Sequence, residues 1–197
     1  IKGGAGNDSL TGNLSIDTIS GGAGADILTV TAGNDVVTGG AGDDVMIFTN
    51  ALFTGNSATT ATHDGGAGAD TINLLAAVTA ADADFARLSS FSAITTTSGA
   101  NIITLGAEAD ATGITSIVGA ANVDTIDVSN VDYDNAISIT GGDGADTITL
   151  GAAGQVDTLI FADGDGAATS ARTLTTAVTS GDTMTFTGAL GQDQITG

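Results

Sequence analysis

The sequence predicts an all-β fold, a parallel β-solenoid carrying two irregular insertions, one of them with a short helix. Three observations predict it: a nine-residue unit repeated in tandem, an eleven-residue variant of that unit further on, and the absence of proline. A unit with one aliphatic side chain cannot bury it alone, so two units form one coil and stacked coils bury a column of Leu, Ile and Val. Inner coils need every backbone N–H for the ladder, which excludes proline.

The elements follow in order. From residue 3 five units run consecutively, opening at Gly3, Gly12, Gly21, Val30 and Gly39. Each places Asp sixth (Asp8, Asp17, Asp26, Asp35, Asp44) and an aliphatic residue or methionine eighth (Leu10, Ile19, Leu28, Val37, Met46). Residues 48–64 interrupt the pattern, and one clean unit returns at Gly65-Gly-Ala-Gly-Ala-Asp70-Thr-Ile72-Asn. Residues 75–95 break it again. There Ala80–Leu88 is rich in helix formers behind Thr79, which predicts a short helix with Thr79 as N-cap and Phe85, Leu88 and Phe91 along one side.

Further on the period lengthens. Asp124, Asn135, Asp146 and Asp157 are spaced by eleven, as are Asp182 and Asp193. Apolar pairs follow at plus two and plus four: Ile126/Val128, Ile137/Ile139, Ile148/Leu150, Leu159/Phe161. That alternation predicts strands about two residues longer than those of the nines. Asn101, Ile103 and Leu105 fit the same frame. Residues 162–180 read as another insertion. The organisation expected is therefore a nonapeptide region 1–74, with its insertion at 48–64, an insertion 75–95, and a wider solenoid 96–197 with its insertion at 162–180.

The stacking places the acids. Units alternate sides, so each Asp meets the Asp 18 residues on, one strand spacing of about 4.8 Å away. Asp8, Asp26 and Asp44 line one edge and Asp17 and Asp35 the other. Stacked carboxylates repel unless a cation lies between them. A hard divalent ion taking six to eight oxygens suits carboxylates joined by the carbonyls of a Gly-Gly-x-Gly turn. Calcium fits better than magnesium because the ligands are mostly backbone and the geometry is permissive. The short Asp side chain, not Glu, reaches an ion from a tight turn.

Composition agrees. The chain has 197 residues, a formal charge of −20, 42% hydrophobic residues and no cysteine. The apolar content excludes a disordered acidic tail. Three cations exclude nucleic-acid binding, and the missing cysteines exclude disulfides and thiolate-ligated zinc or iron–sulfur sites. No apolar run reaches the roughly 18 residues that would span a bilayer. Both ends cut through the pattern, which predicts a segment of a longer protein.

The units at 3, 21, 39, 65 and 141 resemble the Gly-Gly-x-Gly-x-Asp-x-aliphatic-x nonapeptide of the repeats-in-toxin (RTX) family; the resemblance covers 3–47 continuously and 65–73 and 141–149 singly. The resemblance implies a right-handed calcium-binding β-roll, secretion, folding driven by extracellular calcium, and a place in toxins, proteases, lipases, adhesins or surface layers. Units 12 and 30 depart from it by lacking the leading glycine pair, and Asn135 stands where the frame has an acid. The metal ligands expected are Asp8, Asp17, Asp26, Asp35, Asp44, Asp70, Asp124, Asp146, Asp157 and Asp193, with Gly4, Gly6, Gly22, Gly24, Gly40 and Gly42 in their turns. The expected cofactor is several Ca2+ ions.

Other candidates read as bland. Asp163-Gly-Asp165 lacks the later ligands of an EF-hand loop and reads as a solvated turn. His63, the sole histidine, reads as an exposed loop residue and not a catalyst. The glycine turns lack the lysine of a phosphate loop. A threonine ladder through Thr147/Thr149 reads as broken, because Thr125/Asp127 lies one 22-residue coil below. No catalytic constellation is visible, so the segment is expected not to be an enzyme. The expected role is structural, in an extracellular bacterial surface layer or surface-associated protein. Its expected partners are copies of itself and a cell-surface glycan or lipopolysaccharide, with no nucleic acid and no transmembrane segment. The rival reading is the repeat module of a secreted hydrolase, toxin or adhesin.

Overall fold

The structure is a computed structural model that describes residues 1–49, 53–54, 60–130, 132–133, 135–142, 146–150, 158–162, 173–175, 183–187 and 194–196, the last four stretches as backbone only. All strand pairings are parallel, and the coils stack into a solenoid of about six turns. A nine-stranded sheet runs along the whole molecule; its first members are Ser9–Thr11, Ile27–Thr29, Val45–Phe48 and Thr71–Leu74. Opposite it, a five-stranded sheet serves the first coils and a six-stranded sheet the later ones.

The eighth positions of the nines point inward because successive side chains alternate across a strand. Leu10, Leu28, Met46, Ile72, Ile94, Ile117 and Ile139 stack in register down the nine-stranded sheet. All but the first, which is half-buried at the end of the stack, are buried. Ile19, Val37, His63 and Leu88 form the facing column. Ile103, Ile126 and Ile148 replace it in the wider coils, where Ile126/Val128, Ile137/Ile139 and Ile148/Leu150 are all buried as the eleven-residue frame requires.

The expected insertion at 75–95 is woven into the solenoid. Thr79–Ala80 opens the six-stranded sheet, Leu88–Ser89 closes the five-stranded one, and Ala93–Thr96 joins the long sheet. One coil therefore visits all three sheets and joins the narrow region to the wide one. The helix expected over 80–88 is only a single 3-10 turn, Asp82–Phe85, with Ala81 and not Thr79 at its N-cap. Thr79 is committed to the ladder, paired through Ile102, which leaves too few residues for an α-helix. Its apolar residues are buried as expected, Phe85, Leu88 and Phe91 alike. A short helix does form at Ala107–Thr112 (α1), ended by Gly113 at φ +99. It packs on the 3-10 turn, and Asp82 accepts hydrogen bonds from the Glu108 and Ala109 N–H groups.

His63 is a core residue, not an exposed one. It is 2% exposed, stands in register with Val37 and Leu88, and meets Phe48 edge-on with ring centroids 5.1 Å apart. Phe48 also meets Phe53, which meets Phe85, so aromatic rings fill the seam between the two regions. Register corrects one further expectation. The 22-residue coil places Ala136/Ser138 below Thr158/Ile160, but Ser138 and Thr140 lie beside them, an offset of 20, while Thr125/Asp127 does lie beside Thr147/Thr149.

Candidate metal centre

Each nonapeptide turn ends in an Asp at the mouth of a strand, and the stack brings these together as a column. The Asp8 N–H donates to Asp26 Oδ1 at 2.8 Å, Asp26 N–H to Asp44 Oδ1 at 2.8 Å, and Asp44 N–H to Asp70 Oδ1 at 2.8 Å. Asp70 thus continues the column across an offset of 26, because the strands Thr62–Ala67 and Thr71–Leu74 keep the register of the coil before them. One oxygen of every carboxylate is spent on the ladder. The other is not: Oδ2 of Asp8, Asp26, Asp44 and Asp70 is buried and accepts no hydrogen bond.

What faces Oδ2 is another acceptor. A Cβ placed on Gly3 would come within 2.5 Å of both Asp8 Oδ2 and the Gly21 carbonyl. The same construction on Gly21 meets Asp26 Oδ2 and Gly39 O, and on Gly39 it meets Asp44 Oδ2 and Gly65 O. The first glycine of the pair is therefore needed to leave room where a carboxylate and a carbonyl converge. The second and fourth positions serve differently. Gly4, Gly6, Gly22, Gly24, Gly40 and Gly42 all have φ between +106 and +129, and the carbonyls of Gly4, Gly6, Gly22 and Gly24 abut the glycine one coil on. Sequence reasoning named these six and missed the first-position carbonyls of Gly21, Gly39 and Gly65; the repeated leading glycine was the signal for them.

Two buried acceptors facing each other with no proton between them are costly. The electrostatics records it: burial is the largest influence on Asp44 and Asp70 and pushes both above the usual carboxylate value, with neighbouring carboxylates adding to it. A cation with oxygen preference removes the conflict. Among the described residues no three His, Cys, Asp or Glu side chains converge as a metal-ligating group; the acceptors that would hold such an ion are the Asp Oδ2 atoms and the backbone carbonyls facing them. The residues fit calcium on these grounds.

The opposite edge is different. Asp17 N–H donates to Asp35 Oδ1 at 2.9 Å, and Asp35 Oδ2 is buried and unpartnered. Asp17, however, accepts from the Asn13 N–H at 2.7 Å on one oxygen and from the Asn13 side-chain amide at 3.2 Å on the other. Unit 12 has no glycine pair, and Asn13 closes the turn upon Asp17 itself.

In the wider region Asn101 and Asp124 form a second column with Asp146. Asp124 N–H donates to Asp146 Oδ1 at 2.9 Å, and Oδ2 of Asp124 is buried without a partner. Gly119 leaves room for Asp124 Oδ2 and Gly141 O to approach, as Gly3 does for Asp8. Burial raises the Asp124 pKa as well. Asn101 breaks the series. Its Nδ2 donates to Asp124 Oδ1 at 2.9 Å and to Gly99 O at 2.9 Å, so the amide joins a carboxylate to a carbonyl by hydrogen bonds. Asn135 stands apart from this column and bonds to Asp110 instead. Asp157 and Asp193 lie outside the described residues, as do Asp163, Asp165 and Asp182.

A family model for the RTX calcium-binding nonapeptide repeat (4 copies) matches residues 2–35, 20–48 and 138–153. Searches of curated proteins and of solved structures gave no match. Repeats of this kind are typical of secreted proteins, and among the described residues no helix is long and apolar enough to cross a membrane.

Proposed function

From a chain that carries RTX calcium-binding nonapeptide repeats, we propose a calcium-stapled structural segment of an extracellular surface-layer or surface-associated protein that assembles with copies of itself. The observation that carries the calcium part is the row of buried, unpartnered Oδ2 atoms facing glycine carbonyls. When bound, calcium supplies the positive charge and oxygen coordination that let neighbouring coils close on one another. The chain's own residues set the rest: Asp Oδ1 fixes the register, the leading glycine makes the gap, and the aliphatic column drives stacking.

The structural role is supported by the short, regular strands and by a charge of −20 that is largely neutralised once ions fill the columns. Copies of such a surface repel one another without calcium and associate with it. The segment acts as a scaffold and not as an enzyme in this reading. Circular dichroism during a calcium titration tests the first part, with half-saturation expected at roughly 10⁻⁴ to 10⁻³ M and reversal by EGTA. Light scattering and electron microscopy across the same titration test the second. Ordered arrays or defined oligomers at millimolar calcium are expected; a calcium-saturated monomer at high concentration favours the alternative, a repeat module serving a secreted hydrolase, toxin or adhesin.

A further inference from the structure

The glycine column ends unlike it runs. Asp64 and Thr71, separated by six residues, pair with Ser89 and Ala93, separated by only three. The coil above Gly65–Asp70 therefore lacks the three residues that would cover Gly66-Ala67-Gly68. In earlier coils the carbonyls of Gly40 and Gly42 are covered by Gly66 and Gly68; no glycine turn follows to cover Gly66 and Gly68 in their turn. A cavity of about 210 Å³ occupies the gap, with Gly66 and Gly68 on one side and Ser90, Ser92, Thr112 and Gly113 on the other.

A carboxylate and a carbonyl still meet there. A Cβ on Gly65 would abut both Asp70 Oδ2, at 2.7 Å, and Ser90 O. Asp70 is fully buried and its Oδ2 has no partner. Ser90 holds φ +60, a left-handed conformation that disfavours a non-glycine residue, and this conformation belongs to the residue whose carbonyl meets Asp70. The surroundings are negative, since Asp43 and Asp64 both act on Asp70.

We infer that Asp70 and Ser90 form an open-ended cation site beside this cavity, in which a divalent ion keeps part of its coordination shell for neutral oxygen ligands, water in the free protein. The inference rests on the calcium reading above and separates this site from the enclosed ones at Asp8, Asp26 and Asp44. Anions are poor ligands for the free sector because Asp70 and the nearby Asp43 and Asp64 make its surroundings negative. Its ion exchanges with solvent most readily and is the first to leave.

Terbium bound in place of calcium, with luminescence lifetimes compared in H2O and D2O, tests it. Two populations are expected, one shielded from water and one hydrated. Asp70→Asn, which keeps an Oδ1 acceptor for the Asp44 N–H, should abolish the hydrated population and leave the shielded one. Insertion of Gly-Ala-Gly after Ser90, which restores the missing turn, should convert the hydrated population to a shielded one at unchanged ion count. Bound terbium that is uniformly shielded, or a hydrated population that survives both changes, overturns the inference alone. No terbium bound at all overturns the calcium reading and this site with it.

Discussion

The two carboxylate columns solve one problem in two ways. At Asp8, Asp26, Asp44 and Asp70 a buried Oδ2 faces a carbonyl with nothing between them. One coil beyond the seam, Asn101 puts an amide where those aspartates put Oδ2, and its N–H groups reach a carboxylate and a carbonyl at once. The first region leaves these acceptors facing each other; the seam side of the second joins them through the hydrogen bonds of its own amide. An amide in place of a carboxylate decides whether the chain satisfies these acceptors by itself.

The comparison can be broken most forcefully at the seam. Phe48 is fully buried against Phe53 and His63, so Phe48→Ala is expected to cost about 3–5 kcal/mol. It should also split unfolding in calcium into two transitions, read by differential scanning calorimetry, as the regions lose their shared aromatic contact. A single transition shifted as a whole would show that the regions are coupled elsewhere.

The seam also carries a pH term. Burial lowers the His63 pKa from 6.5 to about 4, so the unfolded chain binds the proton more readily. That contribution to stability is intact above about pH 6.5 and shrinks as pH falls toward 4. The full loss is roughly 3 kcal/mol at about 1.4 kcal/mol per pH unit. His63→Val, matching Val37 in the column, should flatten the decline, as measured by denaturant midpoints between pH 7 and 4 in saturating calcium. The ion-free carboxylates act in the other direction. The Asp44, Asp70 and Asp124 pKa values are raised, so in chelator these groups favour the folded state as pH falls through them and oppose it above.

Asp26→Ala sharpens the contrast within the first region. It removes the acceptor for the Asp8 N–H and one unpartnered Oδ2, and should raise the calcium midpoint by roughly tenfold, about 1.4 kcal/mol. Asp132→Ala on the surface should leave it unchanged. A change of similar size is expected at Asn101→Asp, which trades the amide for a second carboxylate against Asp124. In chelator the middle coils should lose about 1–3 kcal/mol, and calcium should restore them with one more ion bound by equilibrium dialysis.

Much of this was legible in the sequence. The 18-residue offset alone places Asp8, Asp26 and Asp44 in line, and the period of two places Ile126 and Ile148 inside. Asp70 was legible as a unit but not as the next member of that column, because periodicity cannot say that the loop before it returns to register. His63 was misplaced because a lone histidine amid Thr and Ala carries no local sign of burial; its strand neighbours Val37 and Leu88 decide it. Residues 75–95 looked aperiodic because their strands are two to four residues long, too short for alternation to register. Asn101 was legible as part of the frame, but which atoms its amide reaches depends on the turn at Gly99.

Hydrogen exchange read at individual column amides tests the central claim most directly. The N–H groups of Asp8, Asp26 and Asp44 donate to Asp oxygens beside the proposed ions, whereas the Val78 N–H donates to the Asn101 side-chain oxygen instead. Protection of the first three only in calcium, with Val78 protected in calcium and in EGTA alike, is the predicted result. Equal protection of all four in EGTA would contradict it.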